Sequence, residues 1–123
     1  MPSVEQITAA VTEYAARIST GTAVEVAALY AEDATLEDPA GSEVRVGREA
    51  IAAFYSGLDG VETTMELLTL RVAGDTAAFH FRVTSTLPTG PIVVEPIDVM
   101  VFDERGLITS MRAIWNPTDM TTG

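Results

Sequence analysis

The sequence predicts an α+β fold, three helices packed in a curved antiparallel sheet, and three observations carry that prediction. Apolar residues recur at helical spacing as far as Leu58. Two capping-box spacings open the first two of those segments. From Val61 onward the pattern changes to strand-like runs separated by turn residues. Helices first and hairpin-linked strands after them place the helices on one side of a single sheet.

Ser3 and Gln6 have the spacing of a reciprocal cap, ahead of Ile7, Val11, Tyr14, Ala15 and Ile18 on one helical face; a helix over residues 4–19 follows. Gly21 ends it, and Thr22 with Glu25 repeats the cap at the head of a second helix reaching about Tyr30. Residues 35–38 form a short strand that Pro39 terminates, because proline cannot donate to a ladder. After the loop Ala40-Gly41-Ser42-Glu43, Ile51, Phe54, Tyr55 and Leu58 align on one face of a third helix over residues 48–58.

Four strands are expected beyond Val61, with turns at Ala73-Gly74-Asp75, Pro88-Thr89-Gly90-Pro91 and Asp103-Glu104-Arg105-Gly106. Between residues 76 and 87, Ala77, Phe79, Phe81, Val83 and Leu87 share one parity, while His80, Arg82, Thr84 and Thr86 share the other. Leu107, Met111, Ala113 and Trp115 likewise share a face. His80 therefore belongs to a polar face, in solvent or at a contact between two copies of the chain.

Composition narrows the function. At 123 residues and 47% hydrophobic, the chain fits one domain over residues 1–123 with a real core. No apolar run approaches the roughly 20 residues of a membrane span, and Met1-Pro2-Ser3-Val4-Glu5 lacks the basic and apolar blocks of a signal peptide, so a cytoplasmic protein is expected. Cysteine is absent, which removes thiol nucleophiles, disulfides and thiolate metal sites. All seven basic residues are Arg, which excludes Schiff-base chemistry, a lysine-bound pyridoxal cofactor and a Walker phosphate loop. Asp33, Glu37 and Asp38 have no matching His or Cys, so no metal is expected. A formal charge of −11 disfavours nucleic acid and anionic membranes and leaves a neutral or apolar partner.

Asp98 is the residue this composition explains least. It sits in Val93-Val94-Glu95-Pro96-Ile97-Asp98-Val99-Met100-Val101-Phe102, which reads as a strand buried on both faces. A carboxylate there loses its hydration, so it pairs with a cation such as Arg112, turns outward at a bulge near Pro96, or keeps its proton. A carboxylic acid held neutral in an apolar site is a hydrogen-bond donor able to stabilise an oxyanion. Tyr14 on the apolar stripe of the first helix fits a core tyrosine or a second donor, and Asp38 before Pro39 fits a turn residue or a base.

Together these residues carry a resemblance. The segment Tyr30-Ala31-Glu32-Asp33-Ala34-Thr35-Leu36-Glu37-Asp38-Pro39-Ala40-Gly41-Ser42, with Tyr14 upstream and Pro96-Ile97-Asp98 downstream, resembles bacterial Δ5-3-ketosteroid isomerases. So do Ile51-Ala52-Ala53-Phe54-Tyr55 and Ile108-Thr109-Ser110-Met111-Arg112-Ala113. The likeness spans nearly the whole chain and weakens between about Gly60 and Val72 and after Trp115.

The resemblance implies a cone-shaped, cystatin-like fold of the nuclear-transport-factor-2-like and SnoaL-like superfamily, a homodimer packed through its sheets, and a small apolar steroid as substrate. It implies Asp38 as general base and Tyr14 with protonated Asp98 as the oxyanion hole, in the enzyme class that is itself the type case for pairing an aspartate base with a neutral aspartic acid. Tyr30 and Tyr55 match tyrosines that support the oxyanion-hole tyrosine, and Phe79, Phe81 and Trp115 match positions lining the steroid cavity. Phe54, Val99 and Met111 are further candidates for its apolar wall.

The implied chemistry suits the composition. Moving a double bond into conjugation with a ketone takes a proton from the carbon between carbonyl and alkene and returns it to the far alkene carbon. One carboxylate can carry it without metal, nucleotide or covalent adduct. The same fold type also hosts polyketide cyclases, epoxide hydrolases and non-catalytic proteins that bind small apolar ligands, and these are the competing expectations. An epoxide hydrolase would need a second ionised carboxylate and an Arg facing the cavity, and the parity of Arg112 beside Met111 and Ala113 is wrong for that.

Overall fold

The computed structural model describes residues 2–122. The first segment folds as α1 (Val4–Thr20), capped reciprocally by Ser3 and Gln6. Ile7, Val11, Tyr14 and Ile18 form its buried stripe, and each fully buried aliphatic side chain contributes roughly 1.5–3 kcal/mol. The same reciprocal cap, from Thr22 and Glu25, starts the short α2 (Ala23–Ala27).

Beyond α2 the chain departs from the expectation. Helix 2 stops at Ala27, and Tyr30 begins a strand, β1 (Tyr30–Glu37), twice the expected length. The extra length comes from partners that local sequence does not reveal: β1 pairs with β2 (Arg45–Val46) on one edge and, in parallel, with β7 (Ile108–Ile114) on the other. The sheet is therefore mixed, rather than wholly antiparallel. Gly47, at φ +94°, turns the chain from β2 into α3 (Arg48–Tyr55), and its N–H donates to Ala34 O at 2.8 Å. A single 3₁₀ turn, Ser56–Leu58, completes the third helical segment.

The second half adds β3 (Glu62–Ala73), β4 (Thr76–Leu87), β5 (Gly90–Val94), β6 (Ile97–Phe102) and the short β8 (Met120–Thr122). Neighbours run β2-β1-β7-β6-β4-β5-β8, and β3 lies along the other edge of β4. The run from Val93 to Phe102, expected as one strand, is two. Glu95 and Pro96 break it, so that β5 pairs with residues 83–87 of β4 while β6 pairs with residues 76–80. Splitting one edge of a long strand between two partners bends the sheet around the helices. α1 packs on β3, where the Met65 N–H donates to Ser19 Oγ at 2.9 Å. No helix among the described residues is long and apolar enough to cross a membrane.

The segment around Asp98 also differs in burial. Only one face of β6 is closed: Asp98, Met100 and Phe102 are buried, whereas Ile97 on the other face is 46% exposed and its cross-strand partner Ile114 is 45% exposed. In β7 the simple odd-residue face fails at its start, because the register shifts opposite Val101 and Phe102 and buries Ile108.

Candidate active site

Helices and sheet enclose a cavity of about 370 Å³ into which Tyr14, Asp38, Asp98, Tyr55 and Trp115 project. Each arrives from a different element. Tyr14 comes from the buried stripe of α1, Tyr55 from the last turn of α3, Asp98 from the closed face of β6, Asp38 from the residue after β1, and Trp115 from just beyond β7. The rest of the wall is apolar and includes Phe54, Phe81, Ile18, Leu58 and Met65.

The three tyrosines form one chain of hydroxyls. Tyr14 Oη and Tyr55 Oη are 2.9 Å apart, and Tyr55 Oη and Tyr30 Oη are 2.7 Å apart. Tyr30 is fixed in turn by Arg48, whose Nε and Nη2 both donate to its carbonyl oxygen at 3.0 and 2.6 Å. Burial, the largest cause, holds all three phenols well above their usual pKa, so each is a neutral donor. Tyr30 lies behind the wall and reaches the cavity only through Tyr55.

Asp98 is 1% exposed, and its Oδ1 has no hydrogen-bond partner among the described residues. Its cross-strand neighbours are Phe79 and Ala113. Neither an ion pair nor an outward turn accommodates it: Arg112 lies opposite Val99 and bonds Glu37 Oε1 at 3.0 Å, and no bulge turns Asp98 outward. Burial first, and the negative charge of Asp38 second, push the Asp98 carboxyl well above the usual aspartate range. These surroundings favour its protonated form and leave Oδ1 unpartnered in a largely apolar wall.

Asp38 has different surroundings. The chain leaves β1 through a cis Asp38–Pro39 peptide, and Ala40 N–H donates to Ala113 O at 2.7 Å, which holds Asp38 beside the end of β7. There Trp115 Nε1–H donates to Asp38 Oδ1 at 2.7 Å. Burial raises the Asp38 pKa, while this hydrogen bond and the charge of Arg45 oppose the rise. One of its two oxygens is thus engaged by Trp115.

Not every expected wall residue reaches the cavity. Val99 lies on the opposite face of β6 from Asp98, as strand alternation requires. Met111 and Phe79 are on the closed face but too deep: both are core residues, and Phe79 packs edge-on against Tyr14 at 6.3 Å, supporting it from behind. Phe54, Phe81 and Trp115 do line the cavity. Sequence reasoning missed Ile18, Leu58, Met65, Val83 and Val94, which look like ordinary core residues in a one-dimensional pattern. His80 lies on the outer face, 3.1 Å from Glu95. Among the described residues, no three His, Asp or Glu side chains cluster as metal ligands would.

Comparison with known proteins identifies the family. The SnoaL-like domain family matches residues 11–111. A steroid Delta-isomerase from Nocardioides simplex is 50% identical over 115 residues, covering 94% of both chains. Epoxide hydrolase LasB from Streptomyces lasalocidi is 31% identical over 89% of this chain, which spans only 47% of that protein. The solved structure of the epoxide hydrolase/cyclase-like enzyme SalBIII superposes over the full length of both chains with a TM-score of 0.92 at 27% identity. The chain belongs to the SnoaL-like, nuclear-transport-factor-2-like family, alongside the bacterial steroid Delta-isomerases.

Proposed function

We propose that this protein is a steroid Δ-isomerase that converts Δ5-3-ketosteroids to their Δ4 isomers by moving one proton within the substrate. The observation that carries the reading is Asp98: a buried acid with an unpartnered oxygen, sharing an apolar cavity with Tyr14 and Asp38. The half-identical relative from Nocardioides simplex bears the same activity in its name.

Asp38 begins the reaction as a carboxylate and takes the proton from the carbon between the ketone and the double bond. The electron pair left behind delocalises onto the carbonyl oxygen, forming a dienolate. Tyr14 O–H and Asp98 O–H donate to that oxygen, and in a dry cavity both bonds are stronger than in water. Asp38, now neutral, returns the same proton to the far alkene carbon and regains its charge. The Trp115 bond to Oδ1 leaves Oδ2 as the oxygen that carries the proton. Apolar walls bind the polycyclic skeleton by burial and keep water from the dienolate.

The same reading treats residues 1–123 as one catalytic domain, paired as a homodimer through the outer sheet face, where Ile97 and Ile114 are exposed together. A chain without Cys suits the cytoplasm. An epoxide hydrolase or cyclase is less well supported, because no Arg lines the cavity among the described residues and Asp98 resists ionisation.

Addition of 5-androstene-3,17-dione should produce the ultraviolet absorbance of a conjugated enone. Absence of a signal above that of an Asp38→Asn control rules the isomerase reading out.

A further inference from the structure

An apolar cavity poses a problem for a carboxylate base. Burial works against the charge of Asp38, and a bound steroid removes still more water from it. No basic side chain lines the cavity among the described residues. The groups that face Asp38 are otherwise neutral or acidic: Tyr14 from α1, Tyr55 from α3 and Asp98 from β6, with Trp115 supplying one neutral donor. Glu37, the neighbouring acid on β1, is already bonded to Arg112, and Glu43 in the loop after Asp38 is exposed.

Arg45 on β2 is the remaining charge, and the β1–β2 ladder aims it at this point. Arg45 is the cross-strand partner of Leu36, so their side chains project to the same side of the sheet. Leu36 is wholly buried on the inner side, and Asp38 lies two residues further along, at the same parity and on the cavity. Diagonal neighbours of this kind are about 7–8 Å apart in the backbone, within reach of a long side chain. The half-buried Arg45 does not extend freely into water: its Cζ rests 4.8 Å from the centroid of Phe54, a ring that lines the cavity. The aromatic face attracts the cation and limits where its charge can go.

We propose that Arg45 is a positioning residue for the isomerase reaction: seated on Phe54, its guanidinium holds the Asp38 carboxylate in the ionised form that accepts the first proton. Phe54 then has two tasks, packing against substrate with one part of its ring and seating the cation with another. The inference rests on the isomerase reading for its catalytic meaning, but the electrostatic link between Arg45 and Asp38 exists with or without turnover.

The experiment follows the Asp38 side-chain carboxyl by ¹³C NMR against pH in the full-length protein, assigned with Asp38→Asn. Arg45→Gln should raise the Asp38 midpoint by about half a pH unit, the size expected for loss of a partly solvated opposite charge. Arg45→Lys, which keeps the charge and can still sit on the ring, should leave most of it in place. In the isomerase assay the acid limb of kcat/KM should move by the same amount, lowering activity about threefold on that limb and leaving it unchanged well above it. An unshifted Asp38 midpoint in Arg45→Gln, or an equal shift in Arg45→Lys, overturns the proposal. Failure of the isomerase reading would show separately, as a wild-type protein that forms no enone while the NMR shift remains.

Discussion

Asp98 and Asp38 are the same residue type on the same cavity, yet the protein treats them in opposite ways. Asp98 is in the middle of β6, between Phe79 and Ala113, with Oδ1 unpartnered. Asp38 is at the open end of β1, where Trp115 donates to it and Arg45 lies across the ladder. Burial raises the pKa of both, but only Asp98 lacks any group that favours its charged form. Position in the strand therefore sets the role. A mid-strand acid facing inward meets only the core, whereas a strand-end acid meets whatever the following loop and neighbouring edge bring to it. In the proposed reaction the two identical side chains would serve as one hydrogen-bond donor and one proton acceptor, as differential stabilisation of a dienolate requires.

The sharpest way to break this contrast is to remove the acceptor. Asp38→Asn keeps the shape and the Trp115 bond but cannot take up a proton, and kcat should fall by about 10³–10⁴ in the enone assay. Removing a donor should do less. Asp98→Ala or Tyr14→Phe should lower kcat by about 10²–10³ with little change in KM, because the lost hydrogen bond matters most once charge sits on the substrate oxygen. If either variant raised KM and spared kcat, the two side chains would be binding groups rather than an oxyanion hole.

The contrast was partly legible in the sequence. The carboxyl in a Val- and Ile-rich run marked Asp98 as anomalous, and the capping boxes of Ser3 with Gln6 and Thr22 with Glu25 marked two helix starts, because both signals are local. What was hidden depends on partners. Tyr30 reads as the end of a helix until β7 is seen to pair with it, and the break at Glu95–Pro96 takes its form from β4, whose edge serves two strands. Cavity wall and solid core also share one composition: Met65 lines the cavity and Met111 does not, and nothing in their neighbours along the chain separates them. Val99 failed for a simpler reason, since an apolar residue next to an inward Asp must point outward.

Stability gives a second test of the difference. The folded chain holds the Asp98 proton more tightly than the unfolded chain does, so the resulting stabilisation is complete below the ordinary aspartate value of about 3.9 and is lost as pH rises through the raised folded value. Asp98→Asn removes this pH dependence. Relative to wild type, it should gain stability steadily in urea unfolding as pH rises from about 4 toward the raised Asp98 midpoint, by about 1.4 kcal/mol for each pH unit. A relative stability that does not change with pH would place Asp98 among ordinary, ionised carboxylates.

The smallest effect concerns the acceptor's own support. Activity should rise with pH as Asp38 ionises, with a midpoint above about 3.9, and decline again where Asp98 or Tyr14 loses its proton. Trp115→Phe deletes the N–H that favours the Asp38 carboxylate while keeping an aromatic wall. The acid limb of kcat/KM should then move up by about half a unit to one unit.

A neutral Asp98 and an ionised Asp38 are expected to coexist in one cavity at neutral pH. The ¹³C resonances of the two side-chain carboxyls, assigned with Asp98→Asn and Asp38→Asn, read this directly. Asp98 should show the chemical shift of a protonated acid and Asp38 that of a carboxylate. A carboxylate shift at Asp98, or an Asp98 that titrates below Asp38, would contradict it.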